Sequence, residues 1–156
     1  MTHHDGHTHS DAEIGALNTL TATLIDSVNG YEDAAANTES ERLRTMFREC
    51  ATERNGVVEE LRGEIRRLGG NPEDDGSFLG KTHQRFLDLK AAVMGRDEQA
   101  IINEVERGED YLKEKFEAAL NSDSLTPESR VAVERAFQSV RAGHDKMSAL
   151  KHGMEA

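Results

Sequence analysis

Proline occurs only twice in the 156 residues, at Pro72 and Pro127. Proline removes a backbone donor and clashes inside a helix, so its scarcity leaves room for long helices. Tryptophan is absent and aromatic residues make up 4% of the chain, so a core has to be built from Leu, Ile, Val, Met and Ala. The single cysteine, Cys50, has no internal partner for a disulfide and fits a reducing, cytoplasmic setting. No apolar run approaches the roughly 20 residues of a membrane span, and residues 1–10 lack the apolar stretch of a secretory signal. No Gly-rich phosphate loop, nucleophile elbow or Cys-x-x-Cys pair is present. Cationic charge is also short: 30 acidic against 19 basic residues give a net charge of -11. Such a chain repels phosphate backbones and anionic lipid, so neither nucleic acid nor a membrane is an expected partner.

What remains is helical periodicity. Residues 1–10 (MTHHDGHTHS) read as a polar, disordered, histidine-rich tail. Its composition alone supports adventitious binding of divalent metals or simple solvation. Ser10 and Glu13 then read as a capping box opening a helix over about 11–38, with Leu17, Leu20, Leu24, Val28, Tyr31 and Ala35 on one stripe. Thr38 and Glu41 read as a second capping box after a very short connection, which predicts an antiparallel hairpin. The second helix reaches about Leu68, with Leu43, Phe47, Cys50, Val58, Leu61 and Ile65 inward, and Gly69-Gly70 stops it.

Asn71–Gly76 is a loop signal, and a shorter helix is predicted over about 77–94 along Leu79, Phe86, Leu89 and Val93. Asp97 can cap the next helix, to about 121, with Ile101, Val105, Leu112, Phe116 and Ala119 inward. Thr126-Pro127-Glu128 supplies an N-cap, a first-position proline and an acidic first turn. The last helix runs to about Lys151 along Val133, Phe137, Val140, Met147 and Leu150. The fold class is therefore all-α: one antiparallel four-helix bundle over 11–151, with an added crossover helix that leaves the second and third core helices parallel.

Several polar residues fall on or beside these apolar stripes. Glu109, His144 and Arg54 lie on them, His83 follows Leu79 by one turn, and Glu32, Glu53 and Glu106 lie on the flanks. Asp26 points nearly opposite to Leu24 and Val28 and is rejected. Carboxylates with a few imidazoles suit iron or manganese, which makes Glu32, Glu53, Glu106, Glu109, His144 and His83 candidate metal ligands. The competing reading is an ion-pair network. Arg54 on the seam is costly unless paired, and a guanidinium within the cluster takes the place of a cation.

Beyond periodicity, the chain resembles the ferritin-like four-helix-bundle proteins of bacteria that carry a domain of unknown function. The resemblance rests on Leu17-Asn18, Gly30-Tyr31-Glu32, Glu53-Arg54, the LGGNP run at 68–72, Gly76-Ser77, His83 with Arg85, Asp88-Leu89-Lys90, the ERGED run at 106–110, and His144-Asp145. It implies a bacterial cytoplasmic bundle, pairing as a homodimer along its sides, and little about activity. The Glu-x-x-His pairs of di-iron ferritins are incomplete: Gly56 stands three after Glu53, and Arg141 three before His144. Three functions follow as expectations. The first is a non-catalytic or weakly catalytic, stress-related bundle holding one iron or manganese ion through Glu53, Glu106, Glu109 and His144, with Glu32 and His83 as outer candidates. The second is a di-metal carboxylate oxidase or peroxidase. The third is a metal-free structural or interaction protein with a buried arginine–carboxylate network.

Overall fold

The computed structural model describes the backbone of residues 2–72 and 98–155, with side chains over 11–72 and 98–153. Among the described residues there are four helices and no strand: α1 (Thr2–Asn37), α2 (Glu41–Arg67), α3 (Glu98–Asn121) and α4 (Pro127–Glu155). The predicted helix over 77–94 and His83 lie outside the described residues.

The two hairpins, α1–α2 and α3–α4, pack through α2 against α4 and α1 against α3. Each helix thus has two neighbours around a square. At one end, Ile14 of α1 sits over Gly70 beyond α2, and Glu13 of α1 meets Thr126 ahead of α4. At mid-height, Arg54 of α2 meets Glu109 of α3. From that level both α2 and α3 run toward the Glu13 end, so they are parallel, as the sequence leads one to expect.

The core follows the apolar stripes. Leu17, Leu20, Leu24, Val28, Tyr31, Leu43, Phe47, Leu61, Ile65, Ile101, Leu112, Phe116, Val133, Val140 and Met147 are all buried. Each large aliphatic or aromatic side chain contributes about 1.5–3 kcal/mol by leaving water. Phe116 and Phe137 stack with centroids 6.0 Å apart across α3 and α4.

The helix ends show where local reading and tertiary contact diverge. α1 begins at Thr2, ahead of the expected start at Ser10. Glu13 is buried, and its carboxylate accepts bonds from Thr126 N (2.6 Å) and Thr126 Oγ1 (2.7 Å). The cap of α2 is Ser40, not Thr38: Ser40 Oγ accepts from Leu43 N at 3.2 Å. Thr126 holds the start of α4 as expected, its carbonyl accepting from Arg130 N at 2.8 Å. α2 ends in a Schellman arrangement, with Gly69 N bonded to Arg66 O and Gly70 N to Ile65 O, each 2.9 Å. Gly69 takes the positive φ of 86° that the motif needs.

Both hairpins close by the same device. Arg44 donates to Ala35 O (3.2 Å) and Thr38 O (2.6 Å) at the end of α1. Arg130 donates to Leu120 O (2.5 Å) and Ser122 O (3.1 Å) at the end of α3. In each case a cation from the second helix satisfies the last carbonyls of the first, where the helix dipole favours positive charge.

Candidate functional site

The polar centre of the bundle is built from all four helices at one level. Arg54 of α2 is 3% exposed and Glu109 of α3 is 1% exposed. Their forks meet face to face, with Arg54 Nη1 donating to Glu109 Oε1 at 2.5 Å and Nη2 to Oε2 at 2.9 Å. Such a bidentate pair is the strong form of a charge-assisted bond. Ser27 of α1 takes a third bond, its Oγ accepting from Arg54 Nη1 at 2.8 Å. The guanidinium carbon lies 5.7 Å from the centroid of the buried Tyr31 ring, in cation–π range.

The fourth helix contributes an absence of side chain. A Cβ added at Gly143 of α4 would lie 2.8 Å from Glu109 Oε2 and closer still to Arg54 Nη2. Only glycine lets α4 approach the pair this closely. Glycine costs about 0.5–1 kcal/mol within a helix relative to alanine, and here the clearance it gives is used.

Electrostatics agree with this reading. Burial works against the charge on Arg54, but Glu109 more than offsets it, and the pKa rises above its already high ordinary value. Burial, reinforced by the Glu109 charge, pushes the Tyr31 phenol well above its usual range. Among the described residues, Tyr31 Oη is buried without a partner of good hydrogen-bond geometry, although it senses the Glu109 carboxylate. Burial also raises the Cys50 thiol, which keeps it an inert hydrophobe rather than a thiolate.

The residues expected around Glu109 are engaged separately. Glu32 is exposed, beside Ala35, Ala36 and Arg48 in the outer groove between α1 and α2. Glu53 is also exposed and accepts from Ser139 Oγ at 3.1 Å. Glu106 is 13% exposed and pairs with Lys151 Nζ at 3.0 Å. His144 faces Asp110 through Nε2 (2.6 Å) and Asp145 through Nδ1 (3.2 Å). Burial opposes its charge, but the bonds to Asp145 and Asp110 outweigh that and hold its pKa above the ordinary 6.5. With both ring nitrogens on carboxylates, the imidazole is arranged to donate twice, whereas a metal ligand needs a free lone pair. Among the described residues no group of three or more His, Cys, Asp or Glu is placed to hold a metal ion.

Three participants escape a reading by stripes. Ser27 stands on a flank, Gly143 carries no side chain, and Glu13 looks like half of a local cap. Asp26, set aside as pointing outward, lines the cleft between α1 and α3 beside Glu104 and Tyr111. Burial raises its pKa from 3.8 to about 7. The wheel treats the bundle centre as the only interior, whereas a side chain on a flank also meets the neighbouring helix.

The model of one family, described as "Domain of unknown function (DUF2383)", matches residues 12–122. No curated protein matches the chain.

Proposed function

We infer that this chain, which belongs to the domain-of-unknown-function family DUF2383, is a non-catalytic helical scaffold. Its centre is held by an ion pair in place of a metal, and its surface rather than its interior meets partners. One observation carries this: the buried Arg54 guanidinium lies against both Glu109 oxygens at the centre of the bundle, where the inward carboxylates were expected to hold an ion. A fixed cation there neutralises the carboxylate and repels a second cation. The net charge of -11 favours partners that are not polyanions.

The alternative is an iron or manganese ion held by Glu53, Glu106, Glu109 and His144. It requires each of these to leave the partner it has: Ser139, Lys151, Arg54 and the two aspartates, respectively. A di-metal oxidase or peroxidase requires the same rearrangement twice over. The test is elemental analysis of a variant lacking His3, His4, His7 and His9, grown with added iron, manganese and zinc. The scaffold reading expects far less than one metal per chain. One or more equivalents, lost in Glu109→Ala, would overturn it.

A further inference from the structure

The cleft between α1 and α3 borders on the Arg54–Glu109 pair through Glu109 and opens away from it. Thr23, Ser27 and Gly30 line it from α1, and Glu104, Gly108 and Tyr111 from α3. Both sets recur at the three- and four-residue spacing of one helix face. The cleft holds about 50 Å³, room for more than one water-sized group. Gly108 helps to keep it open, since a Cβ added there would meet nothing within 4 Å. Three carboxylates line it, those of Asp26, Glu104 and Glu109, and no basic side chain does. Arg54 neutralises Glu109, and Arg107 pairs with one oxygen of Glu104 at 3.0 Å. Asp26 makes no hydrogen bond or ion pair among the described residues, and burial alone raises its pKa. Tyr31 lines the same cleft at 2% exposure, and its Oη lacks a partner of good geometry. A half-buried carboxylate without a donor and a buried hydroxyl without a partner both favour a cation that can donate.

We propose that this cleft binds a small organic ammonium ion, a primary amine on a short aliphatic stem, with the Asp26 carboxylate as its counter-charge. An ammonium group brings three donors and no acceptor, which matches a lining of carboxylate and hydroxyl oxygens. Val105 and Tyr111 offer apolar surface to the stem. A metal ion fits less well, because no group of three or more His, Cys, Asp or Glu among the described residues is placed to hold one. The net charge of -11 raises the local concentration of small cations around the chain. Asp26 and Glu104 belong neither to the central ion pair nor to the alternative metal set. The proposal therefore goes beyond the scaffold reading and does not rest on it.

The experiment titrates butylammonium chloride into the full chain and follows backbone amide shifts. The pH is held at about 8, where Asp26 is largely ionised, and potassium chloride keeps the ionic strength constant. Saturable shifts grouped on residues 23–31 and 104–111, the two walls of the cleft, are expected. Butanol, a neutral counterpart with the same stem, is expected to bind at least about tenfold more weakly. Asp26→Asn removes the counter-charge and keeps the shape, whereas Gly108→Leu keeps the carboxylate and fills the open space. Each is expected to weaken butylammonium binding at least about tenfold, with the rest of the folded amide spectrum retained. Shifts that fail to saturate, or that spread over the acidic surface, would show charge screening and overturn the proposal. So would affinity like the parent's in either variant, or equal affinity for butanol.

Discussion

Two glutamates in this bundle are buried to the same degree, Glu13 and Glu109, each 1% exposed, and they are satisfied in opposite ways. Glu109 faces the guanidinium of Arg54 at the centre. Among the described residues, the hydrogen bonds of Glu13 come from no cation, with the Arg67 charge felt only at longer range. It accepts from the backbone N–H and hydroxyl of Thr126, at the start of α4, where the helix dipole is positive. The first arrangement buries two full charges and needs clearance from a glycine on a third helix. The second uses groups that a helix start supplies anyway. A buried carboxylate therefore does not by itself signal a metal, since this fold answers two of them with its own donors.

The comparison can be broken most severely at Arg54. Arg54→Met leaves Glu109 buried without its cation and is expected to lower stability by about 3–5 kcal/mol, read by urea denaturation. Next is Gly143→Ala. The added methyl meets the clamped pair, both members of which are held by buried bonds, and a loss of about 1–3 kcal/mol is expected despite alanine's better helix propensity. An unchanged or increased stability would mean that α4 shifts freely away from the pair. Glu13→Gln keeps the shape but puts a neutral amide at the start of α4, and a loss of about 1 kcal/mol is expected. Its smaller size relative to Arg54→Met is the quantitative form of the comparison.

The smallest effect is at His144, which lies at the α3–α4 surface. Its folded pKa is raised above 6.5, so its bonds to Asp110 and Asp145 stabilise fully below that unfolded value. The contribution is lost as pH rises through the folded value. The stability difference between the parent and His144→Gln is expected to be under about 1 kcal/mol after solvent screening. It should be present near pH 5.5 and gone by about pH 8.5. A difference that grows with pH would contradict the assignment of both nitrogens to carboxylates.

Much of this architecture is legible in the residues. The stripes through Leu17, Phe47, Phe116 and Val140 identify the core faces. Arg54 and Glu109 stand out because they interrupt such stripes, and the short links after Asn37 and Asn121 require two hairpins. What escapes has a common cause, namely partners distant in sequence. Ser10 and Glu13 have the spacing of a local capping box, but Glu13 finds its donors 113 residues away. Thr38 and Glu41 fit a cap as well as Ser40 does by spacing alone, and the geometry of the turn selects Ser40. Glu53, Glu106 and His144 lie near the right height for a shared ligand. Each is nevertheless drawn to the flank by a nearer partner: Ser139, Lys151 or Asp110. A wheel gives direction and height, but not which of several donors wins. Gly143 had a signal of its own, a helix-interior glycine one residue before a stripe histidine, for which close approach of another group is a reason.

The most direct test replaces both partners at the centre. Arg54→Met together with Glu109→Leu removes the charges while keeping volume. If the pair is structural, the double variant folds and regains most or all of the stability lost in Arg54→Met alone, because no uncompensated charge stays buried. A double variant as unstable as the sum of its two single variants would show no coupling between Arg54 and Glu109, and would contradict the account of the bundle's centre.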